Sequence, residues 1–380
     1  MSAASCASHA PEVLIVGGGV AAIGAALSLQ GRGWRITILE ADPRNQQRGH
    51  GLLLPPSAAD GLEQLGVPIG SWGLPIQGFD LRHRDGSRHR RFDLDGWRGV
   101  LRRQLMACLL GGLADGVELR QGRCLGLVPQ ADGTYQVRID NGQCLRADLI
   151  VAADGVASPC RRSLFPAAGL TPERVTELVL DLPEPKAGLL LQGQCRKYED
   201  PEAGLALGLL PCGADRLVLY AQLATARYPL VSPLDGLAVL RRLFSGWNPD
   251  LDHWLARLGG RVVHRWRTTD LDPLPRLHRG NVVLVGDAAH PLLPFTSQGV
   301  PAALADAQTL GQGLVGVDLR RPAELSTALA CYSDRRLPVL AQLIEQGRQL
   351  QHRFLSPPPA GTAPLLPLAG CGSLRPAVSV

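Results

Sequence analysis

Lysine is nearly missing from the chain: Lys186 and Lys197 are the only two in 380 residues, so the net charge of +5 comes almost wholly from arginine. No basic run is interleaved with aromatics, which make up only 4% of the residues, and this excludes a nucleic-acid surface. The nine cysteines are odd in number, and no two form a C-x-x-C pair. That excludes a disulfide framework and a metal site of the usual zinc spacing, and it sets the expectation of reduced thiols in a cytoplasmic protein. The first ten residues carry neither lysine nor arginine, so no signal-peptide n-region is expected. The stretch from Val13 to Gly31 holds no charge and is long enough to span a bilayer. Its glycines sit as in a phosphate loop, however, and a β-branched strand ending on an acid follows, so no integral membrane segment is expected. The expected partner is a small molecule, and the expected assembly a monomer or homodimer.

What the chain does have is glycine in informative places. Val13 to Val16 is an apolar run that enters Gly17-x-Gly19-x-x-Ala22, after which Ile23, Ala26, Leu27 and Leu29 recur at helical spacing. A second strand, Ile36 to Leu39, ends on Glu40. In such a unit Gly17 allows the tight turn, Gly19 admits a pyrophosphate to the backbone, and Ala22 lets helix pack on strand. Glu40 would accept hydrogen bonds from the ribose of an adenosine.

Two later strands end in the same way. Ala147 to Ala153 runs into Asp154-Gly155, with Ser158 and Arg161 beyond, and Asn281 to Val285 runs into Gly286-Asp287-Ala288-Ala289-His290-Pro291. A proline-rich loop then leads through Pro294, Ser297, Gln298, Gly299 and Val300 to a helix with Pro301 in its first turn. Between these signals, helical spacing of Leu101, Leu105 and Leu109 predicts a helix starting at Arg98. A cation at a helix start opposes the helix dipole, so Arg98 is either a solvated charge or the partner of a ligand phosphate. The stretch from Ala167 to Pro273 has no glycine-loop unit and many strand-like runs. It predicts a sheet-based lobe over the ligand, with Arg196, Tyr198, Tyr220, His264 and Trp266 as candidate cavity residues. His290 reads equally as a satisfied loop histidine and as a catalytic one.

In this order the motifs resemble those of the class A flavoprotein monooxygenases, the para-hydroxybenzoate hydroxylase-like family. Gly17-x-Gly19-x-x-Ala22 with Glu40 is similar to that family's adenosine-diphosphate site, and Arg98-x-x-Leu101-x-x-x-Leu105 to its helix arginine. Ala153-Asp154-Gly155-x-x-Ser158-x-x-Arg161 is similar to the second motif. Gly286-Asp287 with Gln298-Gly299 is similar to the third, whose aspartate binds the ribityl chain. The resemblance implies an α/β fold: a Rossmann-like FAD-binding domain (1–74, 98–166 and 274–354) and an inserted α+β substrate domain built on an antiparallel sheet (75–97 and 167–273). A loosely ordered tail, 355–380, would follow.

FAD and NAD(P)H are the cofactors implied, with Gly17, Gly19, Ala22, Glu40, Arg48, Arg98, Asp154, Gly286, Asp287, Gln298, Gly299 and Val300 binding FAD. His290, Pro294 and Ser297 on the flavin-face loop are the candidate catalytic residues. The chemistry implied is hydroxylation or epoxidation of an aromatic or conjugated small molecule after oxygen adds at flavin C4a. The chain departs from the family at Ser297, where glycine is frequent, and at Pro301, where asparagine is. A flavin-dependent halogenase is an alternative, though such enzymes use a lysine early in the FAD domain and this chain has none before Lys186. A flavin-binding protein or a reductase without oxygen insertion is another.

Overall fold

A computed structural model describes residues 9–44, 49–70, 72–213, 215–229, 236–357, 359 and 362. The three strands read from the sequence lie side by side. A six-stranded sheet runs in the order His278–Arg279, Val282–Leu284, Leu149–Ala152, Glu12–Val16, Arg35–Glu40 and Val117–Gln121. All its pairings are parallel except that of the short edge strand His278–Arg279. Val16 pairs with Ala152, and Ala152 with Leu284, so the three strands finish level and deliver their motifs to one edge.

These strands are buried on both faces and hence read as unbroken apolar runs. Helix Val20–Leu29 packs along helix Gly299–Gly313, and Gly24 allows it, since a Cβ there would sit 3.3 Å from that of Ala307. The hairpin expected at Asp140-Asn141-Gly142 is present, in a three-stranded sheet of Cys124–Pro129, Tyr135–Ile139 and Cys144–Leu145.

The second sheet has eight strands, in the order His264–Arg267, Val175–Pro183, Arg216–Ala224, Leu205–Cys212, Gln194–Asp200, Leu74–His83, Arg88–Leu101 and Gly51–Leu54. It is antiparallel apart from the pairing of Gln194–Asp200 with Leu74–His83. This sheet reaches further than 75–97 and 167–273, since it takes Gly51–Leu54 and runs on to Leu101. It curls until its edges meet: the His50 and His264 rings are 4.6 Å apart, and His50 Nδ1 is 2.6 Å from Asp181 Oδ1. Helices Gly236–Phe244 and Pro249–Ala256 cover one face, burying Phe244 and Trp254 against Leu207, Leu219 and Tyr198.

The helix expected from Arg98 is a correction. Arg98 lies in strand Arg88–Leu101, and the helix is Arg102–Gly111. The alternation of Phe92 and Leu94 breaks at Gly96, and it is the antiparallel pairing of Arg98–Leu101 with Gly51–Leu54 that holds this stretch in the sheet. Most of the expected tail, 355–380, lies outside the described residues.

Candidate functional site

At the level edge of the parallel sheet the first turn is shaped by crowding. Gly17 has φ +110°, and a Cβ there would run into the carbonyl of Ala153. Gly18 is hemmed in by Glu40, whereas Gly19 faces open space at the start of helix Val20–Leu29. That helix has no side-chain cap and no acid in its first turn, so its free N–H groups point outward unanswered. Ala22 is fully buried against the sheet. Glu40 Oε1 accepts from the Asp42 N–H at 2.8 Å, which fixes the carboxylate at the end of its strand. Arg48 lies outside the described residues.

Arg98 does not reach this edge. Its guanidinium donates to the carbonyls of Trp72 and Gly73 at 3.1 and 3.0 Å. The arginine at the site is Arg102, at the first position of its helix. Burial pulls its pKa down, while the charges of Glu40 and Asp287, in the first and third motifs, pull it back up. Both Arg98-x-x-Leu101-x-x-x-Leu105 and Arg102-x-x-Leu105-x-x-x-Leu109 satisfy the same spacing. Only the pairing of Arg98–Leu101 with Gly51–Leu54, a contact between distant segments, separates them.

Asp154 serves its own turn: Oδ1 accepts from Ser158 Oγ and Oδ2 from the Cys160 N–H at 3.0 Å. Ser158 in turn caps helix Pro159–Leu164. Arg161, 1% exposed, donates to the carbonyls of Asp287 and Ala288 at 3.1 and 2.9 Å, which ties the second motif to the third. Cys124 Sγ lies 3.6 Å from Cys160 Sγ and near Asp154, but that carboxylate is already committed. The described cysteines are all free thiols.

In the third motif the Gly286 N–H and His290 Nε2 both bond Asp306 Oδ2, at 2.7 and 2.6 Å, and Arg336 Nε bonds Oδ1 at 2.7 Å. His290 is 3% exposed. The ring is buried against the Gly286-Asp287 turn, its Nε2 held by a carboxylate on the following helix. Asp287 itself is open to water yet deep in the molecule, as befits the floor of a cleft, and burial pushes its pKa up.

The chain next forms a turn at Pro294–Thr296 and passes through Ser297, which has φ +53°. That left-handed conformation is costly for a residue with a side chain. Gln298 is buried, while Gly299 is exposed and Val300 half-buried at the uncapped start of helix Gly299–Gly313. Pro301 is the third residue of that helix, where no backbone N–H is needed.

Pro294, Phe295 and Ser297 also wall a cavity of about 130 Å³ whose other side is the large sheet. The sheet contributes Glu177, Lys197, Tyr220 and Gln222, together with Phe79 and Leu210. Of the sheet-lobe candidates read from the sequence, only Tyr220 lines it. Arg196 and Tyr198 point to the opposite face, where both meet Asp250, and Trp266 is 52% exposed. Strand alternation explains the exchange, because Cys195 and Lys197 lie on one face and Arg196 and Tyr198 on the other. Lys197 is 5% exposed; burial lowers its pKa, countered by Glu199 and Glu177, and its ammonium lies 5.7 Å over the Phe354 ring. Burial likewise raises the Glu177 carboxyl, against the pull of Gln222 and Lys197.

A family model described as FAD binding domain matches residues 10–211 and 264–347. The chain belongs to that family. FAD binding domain relatives include a 3-amino-4-hydroxybenzoate 2-monooxygenase of Streptomyces cremeus, 29% identical over 91% of this chain and 88% of its own. A 6-hydroxynicotinate 3-monooxygenase of Pseudomonas fluorescens is 26% identical over 81% and 83%. Pseudomonas aeruginosa PqsL in complex with 2-aminobenzoylacetate superposes with a TM-score of 0.77 at 25% identity, covering 91% of this chain and 97% of that one. The chain is an FAD-dependent oxidoreductase of the monooxygenase kind, similar to these proteins.

The geometry fits an FAD binding domain. Gly19 and Gly299 each leave open space at an uncapped helix N-terminus, suited to a pyrophosphate and to an electron-rich ring edge. Asp287 is exposed at its turn, and Glu40 keeps its second oxygen after Oε1 has taken the Asp42 N–H. No described helix is long and apolar enough to cross a membrane.

Proposed function

We propose that the protein uses NAD(P)H and O2 to hydroxylate or epoxidise a small aromatic or conjugated molecule. The parallel sheet, in segments 1–74, 98–166 and 274–354, holds FAD, and the large sheet holds the substrate. The observation that carries this reading is the cavity shared by Pro294, Phe295 and Ser297 and the polar face of the large sheet. Its volume, about 130 Å³, is close to that of a cavity that takes benzene. Relatives named for 3-amino-4-hydroxybenzoate and 6-hydroxynicotinate act on single six-membered rings.

Bound FAD would take electrons from NAD(P)H and react with O2, supplying the oxygen atom that is transferred. The chain's own part is to bind and position. Glu40 takes the adenosine ribose, the helix start at Gly19 the pyrophosphate, and Asp287 the ribityl hydroxyls. Arg102 balances the charge between Glu40 and Asp287, and the helix start at Gly299 lends partial positive charge to the reactive ring. Pro294, Phe295 and Leu210 exclude water from the cavity. Label from 18O2 is expected in the product of an aromatic screen, with one NAD(P)H consumed per oxygen inserted. NAD(P)H consumption that yields only hydrogen peroxide with every aromatic tried would defeat the proposal. Lys197 in the cavity is the one feature that favours the halogenase reading, and product formation that depends on chloride or bromide would select it.

A further inference from the structure

The cavity face of the large sheet is built to bring distant polar groups together. Lys197 pairs across with Gly208, and Gly208 with Tyr220; one row along, Ala206 pairs with Gln222 and Gln222 with Glu177. The middle strand therefore contributes only Ala206 and Gly208 between the polar side chains. A Cβ at Gly208 would run into the Tyr220 ring, which lies flat over that position. Across this low ground the long Lys197 side chain and the Gln222 amide share one small space.

The hydrogen-bond inventory of that space is unequal. Gln222 Nε2 donates to Glu177 Oε1 at 2.7 Å, which fixes the amide, because the reverse orientation would set two oxygens together. Gln222 Oε1 is then left buried with no partner, on a residue 4% exposed. A buried acceptor without a donor is costly unless a ligand completes it. Lys197 offers the opposite, a donor and positive charge, held by neighbouring charges and the Phe354 ring.

We infer that the cavity selects a six-membered aromatic ring bearing, on one edge, an oxygen for Lys197 Nζ and an N–H or O–H donor for Gln222 Oε1. Ortho-aminophenols, catechols and 2-pyridones present that edge. The inference deepens the proposed function and rests on its placing of the substrate in this cavity.

Binding to the FAD-loaded, oxidised protein tests it without turnover, read as perturbation of the flavin absorption. The probes are 2-aminophenol, 2-fluorophenol, which keeps the oxygen but lacks the amino donor beside it, and 2-fluoroaniline, which lacks the oxygen. Each deletion is expected to weaken binding about tenfold, as loss of one hydrogen bond to a buried partner implies. Gln222→Leu should bring 2-aminophenol and 2-fluorophenol to within about threefold of each other. Lys197→Met should do the same for 2-aminophenol and 2-fluoroaniline, and both variants should keep the wild-type flavin spectrum. Equal binding of the three probes by the wild type, or no binding of 2-aminophenol, overturns the inference even if the variants fail to fold. A wild-type preference that survives Gln222→Leu also overturns it. A protein that shows the edge preference but inserts no 18O defeats only the monooxygenase proposal, and one that inserts 18O without the preference defeats only this inference.

Discussion

Two arginines four positions apart have different surroundings. Arg98 is tied to backbone carbonyls, whereas Arg102 feels the charges of both Glu40 and Asp287. Arg102→Met should weaken FAD binding by about 1.5–3 kcal/mol, the usual value of a hydrogen bond to a charged group, while Arg98→Met leaves it within threefold. Titration of the apoprotein with FAD, followed by fluorescence, checks both. Ser297 holds a left-handed backbone that glycine adopts without strain. Ser297→Gly should gain roughly 1 kcal/mol of stability in thermal unfolding, less the entropy that glycine adds to the unfolded chain. At Gly208 the sign reverses. Gly208→Ala pushes the Tyr220 ring into the cavity and should raise the KM for substrate about tenfold with FAD affinity unchanged.

At the scale of elements, Asp306 joins two long helices and the third-motif turn, through Arg336, His290 and the Gly286 N–H. Its partners hold its carboxyl below the ordinary value despite burial. The native state thus binds this proton less tightly than the unfolded chain does. The resulting stability is complete above the unfolded value of about 3.9 and is lost as pH falls through the lower folded value. Asp306→Asn should cost about 3–5 kcal/mol at neutral pH, because Arg336 stays buried without its anion. In denaturant titrations the gap to wild type should close as pH drops below about 4.

Elements also decide what could be read without the fold. Strand, turn and acid lie within a few residues at Gly17, Asp154 and Gly286, so those motifs were legible. The roles were less so: Asp154 proved to lock its own turn and His290 to brace another. Glu177, Lys197 and Gln222 were missed because they become neighbours only through the register of four strands. That register also fixes which side of the sheet each residue faces. In the chain order, Lys197 looks no different from Arg196 beside it.

For the whole molecule, the six-stranded sheet carries the cofactor edge and the eight-stranded sheet lines the cavity. Because FAD contacts the native edge and not the unfolded chain, saturation at a thousandfold over Kd should add about 4 kcal/mol to the unfolding free energy. Thermal melts across an FAD series test this, and a midpoint independent of FAD would mean the edge does not bind it. The central strands Glu12–Val16, Leu149–Ala152 and Val282–Leu284 are adjacent in the sheet but far apart in the chain. No fragment emerging early from a ribosome contains the edge, since Asp287 leaves long after Gly17. A yellow molecule is therefore one whose last parallel strand has found its place.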